Sequence, residues 1–218
     1  MAKVTPFGPV GTGGNWRLNA VIKRHNDHEI AMGFAETADI IVEHWVRRGP
    51  NDLLFEPLVF NHRHALELVL KAAIRESAAR LRGEGQRGRT IEHDDLEKWL
   101  TNEAGHNLHK LTSRLDELLL QLGEERLPPD THGALMSLHQ LDPSGETFRY
   151  AKVKAAGGKL VDAPRPLLST PTDLQAHVDI VAMHEHFRSA FSLLSGGLMT
   201  VLEQIADFQA EMTREVDS

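Results

Sequence analysis

Three short stretches hold the side chains best suited to chemistry: FNHRHALELVLKAAI from Phe60, GHNLHKLTSRLDELL from Gly105, and SLHQLDPSGETFRY ending at Tyr150. They gather His62, Arg63, His64 and Glu67 in the first, His106 and Asn107 in the second, and Asp142, Arg149 and Tyr150 in the third. Imidazole titrates near neutrality, so a pair of histidines can take up and return a proton, while an arginine can hold negative charge that develops during a reaction. The plainer reading of Arg149 is a brace that fixes its loop by pairing with Glu67 or Asp142.

Metal ligation is a second option for a chain with 13 histidines and one tyrosine. His106 and His109 are three apart, His177 and His184 are seven apart on one helical face, and His184-Glu185-His186 is compact. No HExxH or carboxylate-rich di-metal pattern accompanies them, so the expectation is no metal site and scattered or bundle-packed histidines. Arg63, Lys71, Arg75, Arg80, Arg82, Arg87 and Arg89 form the strongest local run of positive charge and the best candidate for phosphate contact. Few aromatics accompany them, and a solvated face explains the run equally well.

The elements that must position these residues read as helices. Asn26 and Glu29 have capping-box spacing, Ile30, Phe34, Ile41 and Trp45 share a face, and Gly49-Pro50 stops a first helix over residues 27–48. A second helix runs from about Pro57 to Leu81, with Leu66, Leu70, Ala73 and Ser77 toward the core and a Glu67–Lys71 pair outside that stripe. A short helix over 94–101, a third long one over 106–122 burying Leu108, Leu111, Leu115, Leu118 and Leu119, and another over 130–141 follow. Asp142-Pro143-Ser144-Gly145 is turn chemistry, residues 148–160 suit a short hairpin, and three prolines over 164–171 make an extended linker. From Thr172 to about residue 215 the chain reads as one long helix. Its Phe191, Leu194, Leu198, Val201, Ile205, Phe208 and Met212 are spaced 3, 4, 3, 4, 3, 4. Packing within the monomer is the first reading of that seam and a dimerising helix pair the second. Gly196-Gly197 marks an expected kink.

Composition bounds the rest. The 218 residues suffice for one domain over 26–218 behind a flexible arm, 1–25, with an insertion at 142–171. The arm's GPVGTGG lacks the Gly-Lys-Ser/Thr ending of a phosphate loop. A net charge of −7 gives no global basic field for nucleic acid, and the absence of cysteine excludes disulfides and thiolate chemistry. Without an apolar run of membrane length, the expectation is a cytoplasmic protein with no membrane partner.

The order of the three polar stretches on successive helices resembles the HEPN superfamily of small helical domains, many of which cut RNA or bind nucleotides. The likeness covers roughly residues 30–202. It implies an all-α, HEPN-like up-and-down helical bundle with a small irregular or β-hairpin insertion, whose polar helix ends converge on one groove. Carried over by position, His64, His106 and Arg149 are the implied catalytic residues: His106 or His64 as the base for the 2′-hydroxyl and the acid for the leaving oxygen, and Arg149 or Arg63 as the cation for the phosphorane. Arg63, Glu67, Asn107, Tyr150 and Lys152 are the implied nucleotide- or phosphate-binding residues, with no cofactor. Ribonucleases of the superfamily carry an arginine, then four to six residues, then histidine near the start of the final helix. After Arg149 the next histidine is His177, and Arg87–His93 and Arg126–His132, which enclose five residues each, lie in or beside loops. The expected function is therefore a binding module for nucleotide, RNA or a partner protein. A metal-independent ribonuclease of toxin or phage-defence type is the alternative, and a His-rich metalloprotein a further one. A homodimer through the C-terminal helix fits the superfamily, in which a two-fold interface often pairs the grooves.

Overall fold

Helix α1 spans Asp27–Arg48, the boundaries that its punctuation dictates. Asn26 accepts from the Glu29 N–H at 2.8 Å and Glu29 returns the bond to the Asn26 N–H at 3.1 Å, which satisfies donors that a helix start leaves open. The computed structural model describes residues 24–88, 90–148, 152–154, 158–162 and 177–216. A 3-10 turn, Asp52–Leu54, leads into α2, Phe55–Gly83, and then come α3, His93–Lys98, and a π-helical turn over Trp99–Ala104. Next are α4 (Leu108–Gln121), α5 (Pro129–Leu141) and the antiparallel pair β1 (Lys152–Lys154) and β2 (Leu160–Asp162), in which Val153 faces Val161. The chain ends in α6, Ile180–Ser192, a second π-helical turn over Leu193–Leu198, and α7, Met199–Val216. The architecture is an all-α helical bundle with one small hairpin.

Helix α2 is its axis. Leu66, Leu70, Ala73 and Ser77 are fully buried as their spacing predicts, and Val59, Val69, Ile74 and Leu81 bury other sides of the same helix. It packs against α1, α4, α6 and α7, so it is apolar over much of its circumference. Helix α4 buries the five predicted leucines, each fully buried leucine contributing about 1.5–3 kcal/mol.

Two faces differ from expectation. The buried stripe of α1 is Ala31, Ala35, Ala38 and Val42, while Ile30 is exposed and Phe34, Ile41 and Trp45 are half-buried. Small side chains let the α1 backbone lie close on α2, and the large residues flank the contact rather than fill it. The C-terminal seam is split as well. Phe191, Leu194 and Leu198 are buried, Leu202 takes the next inward position, and Phe208 and Met212 are exposed. The π turn around Gly196-Gly197 is the cause: it adds a residue to the turn and rotates the following face by about 100°. The helix expected from Thr172 begins at Ile180, where Asp179 accepts from the Ala182 N–H at 3.0 Å. The arm 1–23, with its GPVGTGG, and the linker 163–176 lie outside the described residues. No described helix is long and apolar enough to cross a membrane.

Candidate functional site

One turn of α2 sends three consecutive side chains in three directions, since each residue advances the helix by about 100°. His62 faces α6, Arg63 faces the α4 entrance and the α5 exit, and His64 faces α1.

Arg63 is 2% exposed, and its donors are committed. Nη1 donates to Glu67 Oε2 at 2.9 Å, Nη2 to the His106 carbonyl at 2.5 Å, and Nε to the Asp142 carbonyl at 3.2 Å. Asp142 Oδ2 also lies 3.2 Å from Nε as an ion-pair contact. Asp142 is itself buried, and its Oδ1 accepts from the N–H groups of Gly145, Glu146 and Thr147 at 2.8, 3.0 and 3.1 Å, which closes the Asp-Pro-Ser-Gly turn. That turn presses on the guanidinium. Gly145 has φ +79°, and a Cβ there would sit 3.0 Å from His106 Cβ and 3.2 Å from Arg63 Cζ. Among the described residues the arginine that braces Glu67 and Asp142 is Arg63, and the Glu67–Lys71 pair expected outside the core stripe is largely buried.

Glu67 is 1% exposed and takes three partners: Arg63, Lys71 Nζ at 2.8 Å and His106 Nδ1 at 2.9 Å. Burial pushes its carboxyl pKa up, but the Lys71 hydrogen bond and the charges of Lys71, His106 and Arg63 outweigh burial and hold it below the ordinary value. A carboxylate only accepts, so the Nδ1 contact places a proton on that nitrogen and leaves Nε2 of a neutral His106 as the basic one. His106 precedes α4 because Gly105, at φ +55°, ends the π turn. Its side chain is 52% exposed. His64 is half-buried, edge-on to Phe34 at 4.4 Å and stacked on Phe60 at 5.6 Å. Burial lowers its pKa. The charges of His106, Arg63 and Lys71 lower it further, against the opposing Glu67.

Phe60, Arg63, His64, Glu67, His106 and Gly145 line one cavity of about 110 Å³. Sites for whole small molecules are about 300–1,000 Å³, so this cavity admits one group of a ligand rather than a nucleotide. Of the expected site residues it brings together His64, His106, Arg63 and Glu67, and it adds Phe60 and Gly145. Asn107 is spent as the α4 cap, accepting from the Lys110 N–H at 3.0 Å. Lys152 lies on the hairpin, 3.8 Å from Asp162, and does not line the cavity. Arg149 and Tyr150 lie outside the described residues.

The basic run on α2 is occupied by partners: Arg75 on Asp27 and Glu97, Arg80 on Glu76, Arg82 on the Ile91 carbonyl, and Arg87 on Glu92, with Arg89 outside the described residues. On the far side of the turn, His62 is 2% exposed, with Nε2 3.1 Å from His184 Nδ1. Burial and the charges of His184 and Arg188 push its pKa down to about 3. His184 Nε2 lies 3.6 Å from Asp39, which Arg188 Nε approaches to 3.0 Å. No group of three or more His, Asp or Glu among the described residues is placed to hold a metal ion. Compared with known proteins, the chain matches no family model, no curated protein and no solved structure.

Proposed function

We propose that the cavity at the α2–α4 junction receives a phosphate group, and that the chain is a HEPN-like binding module for a nucleotide or the backbone of RNA. The observation that carries this reading is that His64 and His106 line one small cavity, with Glu67 on Nδ1 of His106. Behind them the fixed charges balance, Arg63 and Lys71 against Glu67 and Asp142. What the cavity offers an anion is therefore its two imidazoles, whose ring N–H groups can donate to phosphate oxygens. All lining residues come from one chain, so the cavity needs no second copy to form.

The Glu67–His106 pair also favours a second reading, metal-independent RNA cleavage. Neutral His64 accepts the 2′-hydroxyl proton as O2′ attacks phosphorus. The P–O5′ bond breaks, and protonated His106 gives its Nε2 proton to the departing O5′. Arg149 is the cation that the superfamily resemblance assigns to this step.

Incubating the purified chain with labelled single-stranded RNA, with and without chelator, separates the readings. Binding without cleavage, weakened at least tenfold in His106→Ala, supports the first. Cleavage that survives chelator and disappears in His64→Ala and His106→Ala supports the second. No binding at any pH from 5.5 to 8 contradicts both.

A further inference from the structure

The exposed end of the C-terminal seam borders a groove of about 600 Å³ between α7, the α2 exit and the α4 exit. Its apolar floor is Leu122, Val201, Ile205, Phe208 and Met212, and its charged lining residues, Glu84 and Glu124, are both acidic. Phe208 is 63% exposed, a large cost for an aromatic ring unless something covers it. A second copy's α7 is a poor cover, since Glu203, Asp207 and Glu211 on its exposed surface bring like charge to like.

The chain carries a better match in its own N-terminal segment. Residues 1–26 hold Lys3, Arg17, Lys23 and Arg24 and none of the 31 Asp and Glu residues, so every acidic residue lies in the remainder. Trp16, Leu18, Val21 and Ile22 are interleaved with those cations. The described chain starts at Arg24, and Asp27 and His28 border a hollow with Met199, Thr200 and Glu203, at the near end of α7. From Val201 to Met212 α7 rises about 16 Å, and the nine residues 16–24 can span about 30 Å extended. We propose that the segment Trp16–Arg24 docks along this groove in the same molecule, its apolar residues covering Phe208 and Met212 and its cations facing Glu84 and Glu124.

The absence of cysteine makes the test clean in the full-length chain, because only introduced thiols react. Ala20→Cys is combined with Gln204→Cys at the groove or, as control, with Val46→Cys, which is 67% exposed at the far end of α1. Under mild oxidation the groove pair is expected to form an intramolecular disulfide at least tenfold faster than the control, and Arg17→Glu with Lys23→Glu is expected to remove that advantage. Equal rates for the two pairs, an advantage that survives charge reversal, or cross-links formed mainly between molecules would each overturn the proposal, the last assigning the groove to a second copy.

Discussion

Two histidine networks leave the same turn of α2 and end in opposite conditions. On one side His62 is sealed between α2 and α6, hydrogen-bonded to His184 and pushed to a pKa of about 3, so it stays neutral at any physiological pH. On the other side His106 keeps half its surface in solvent while Glu67, buried and three times partnered, holds its Nδ1. The first arrangement packs helices together; the second holds a ring by one nitrogen and leaves half of the side chain in solvent. Residue type does not separate them. Access does: burial removes the charged form of His62, whereas His106 keeps half of its side chain in solvent.

The contrast can be broken most strongly at the arginines. Arg63→Met leaves buried Asp142 without its cation and Glu67 with Lys71 and His106 alone, and a loss of about 3–5 kcal/mol is expected in urea unfolding. Arg188→Met, where the Asp39 side chain is 38% exposed, should cost about 1 kcal/mol or less. Equal losses would mean that the two networks do not differ in burial as described.

The next effect is on pH dependence. Between pH 6.5 and about 3 the unfolded chain binds the His62 proton and the native chain does not. Stability therefore falls as pH falls, by up to about 1.4 kcal/mol per pH unit from this group. His64, His139 and His184, also lowered by burial, act with the same sign, while the depressed carboxyls of Glu67 and Glu97 add to the loss only in the carboxylate range, further down. Unfolding midpoints at pH 7 and pH 5 should show the drop, and His62→Gln should flatten it. A wild-type midpoint that does not move contradicts the sealed reading of His62.

Smaller again is Gly145→Ala, which forces a side chain into positive φ and against His106 and Arg63. A loss of about 1–2 kcal/mol is expected, with weakened ligand binding because the cavity wall shifts. Least costly to the fold is His106→Ala: Glu67 keeps Arg63 and Lys71 and the backbone carbonyl still accepts from Arg63, so stability should stay within about 1 kcal/mol while binding is lost. A large stability loss would instead make His106 a structural residue.

What was legible in the sequence follows from the range of the forces involved. Local punctuation was readable: the Asn26–Glu29 box and Gly49 mark the ends of α1, and the leucine spacing of α4 marks its buried face. The convergence of His64, Glu67 and His106 could not be read from spacing, because no local rule relates α2 to the α4 entrance. The pairing demand of Glu67 and Asp142 was visible, but not that Arg63 meets it, since sequence spacing does not reveal which arginine a turn encloses; Arg149, to which the sequence reading gave that pairing, lies outside the described residues. Gly145 reads as an ordinary turn glycine, and its contact with Arg63 depends on how a distant loop seats on α2. The face of α1 was missed for a related reason: periodicity favours large apolar residues, whereas close helix contact selects Ala31, Ala35 and Ala38.

The central claim is that His64 and His106 meet a ligand's phosphate while His62 does not. Histidine ring signals of the full-length chain, assigned with single His→Gln variants and followed by NMR as uridine monophosphate is added, test it directly. Saturable shifts of His64 and His106 with His62 unmoved are the expected result; shifts confined to other histidines, or none up to millimolar ligand, would contradict it.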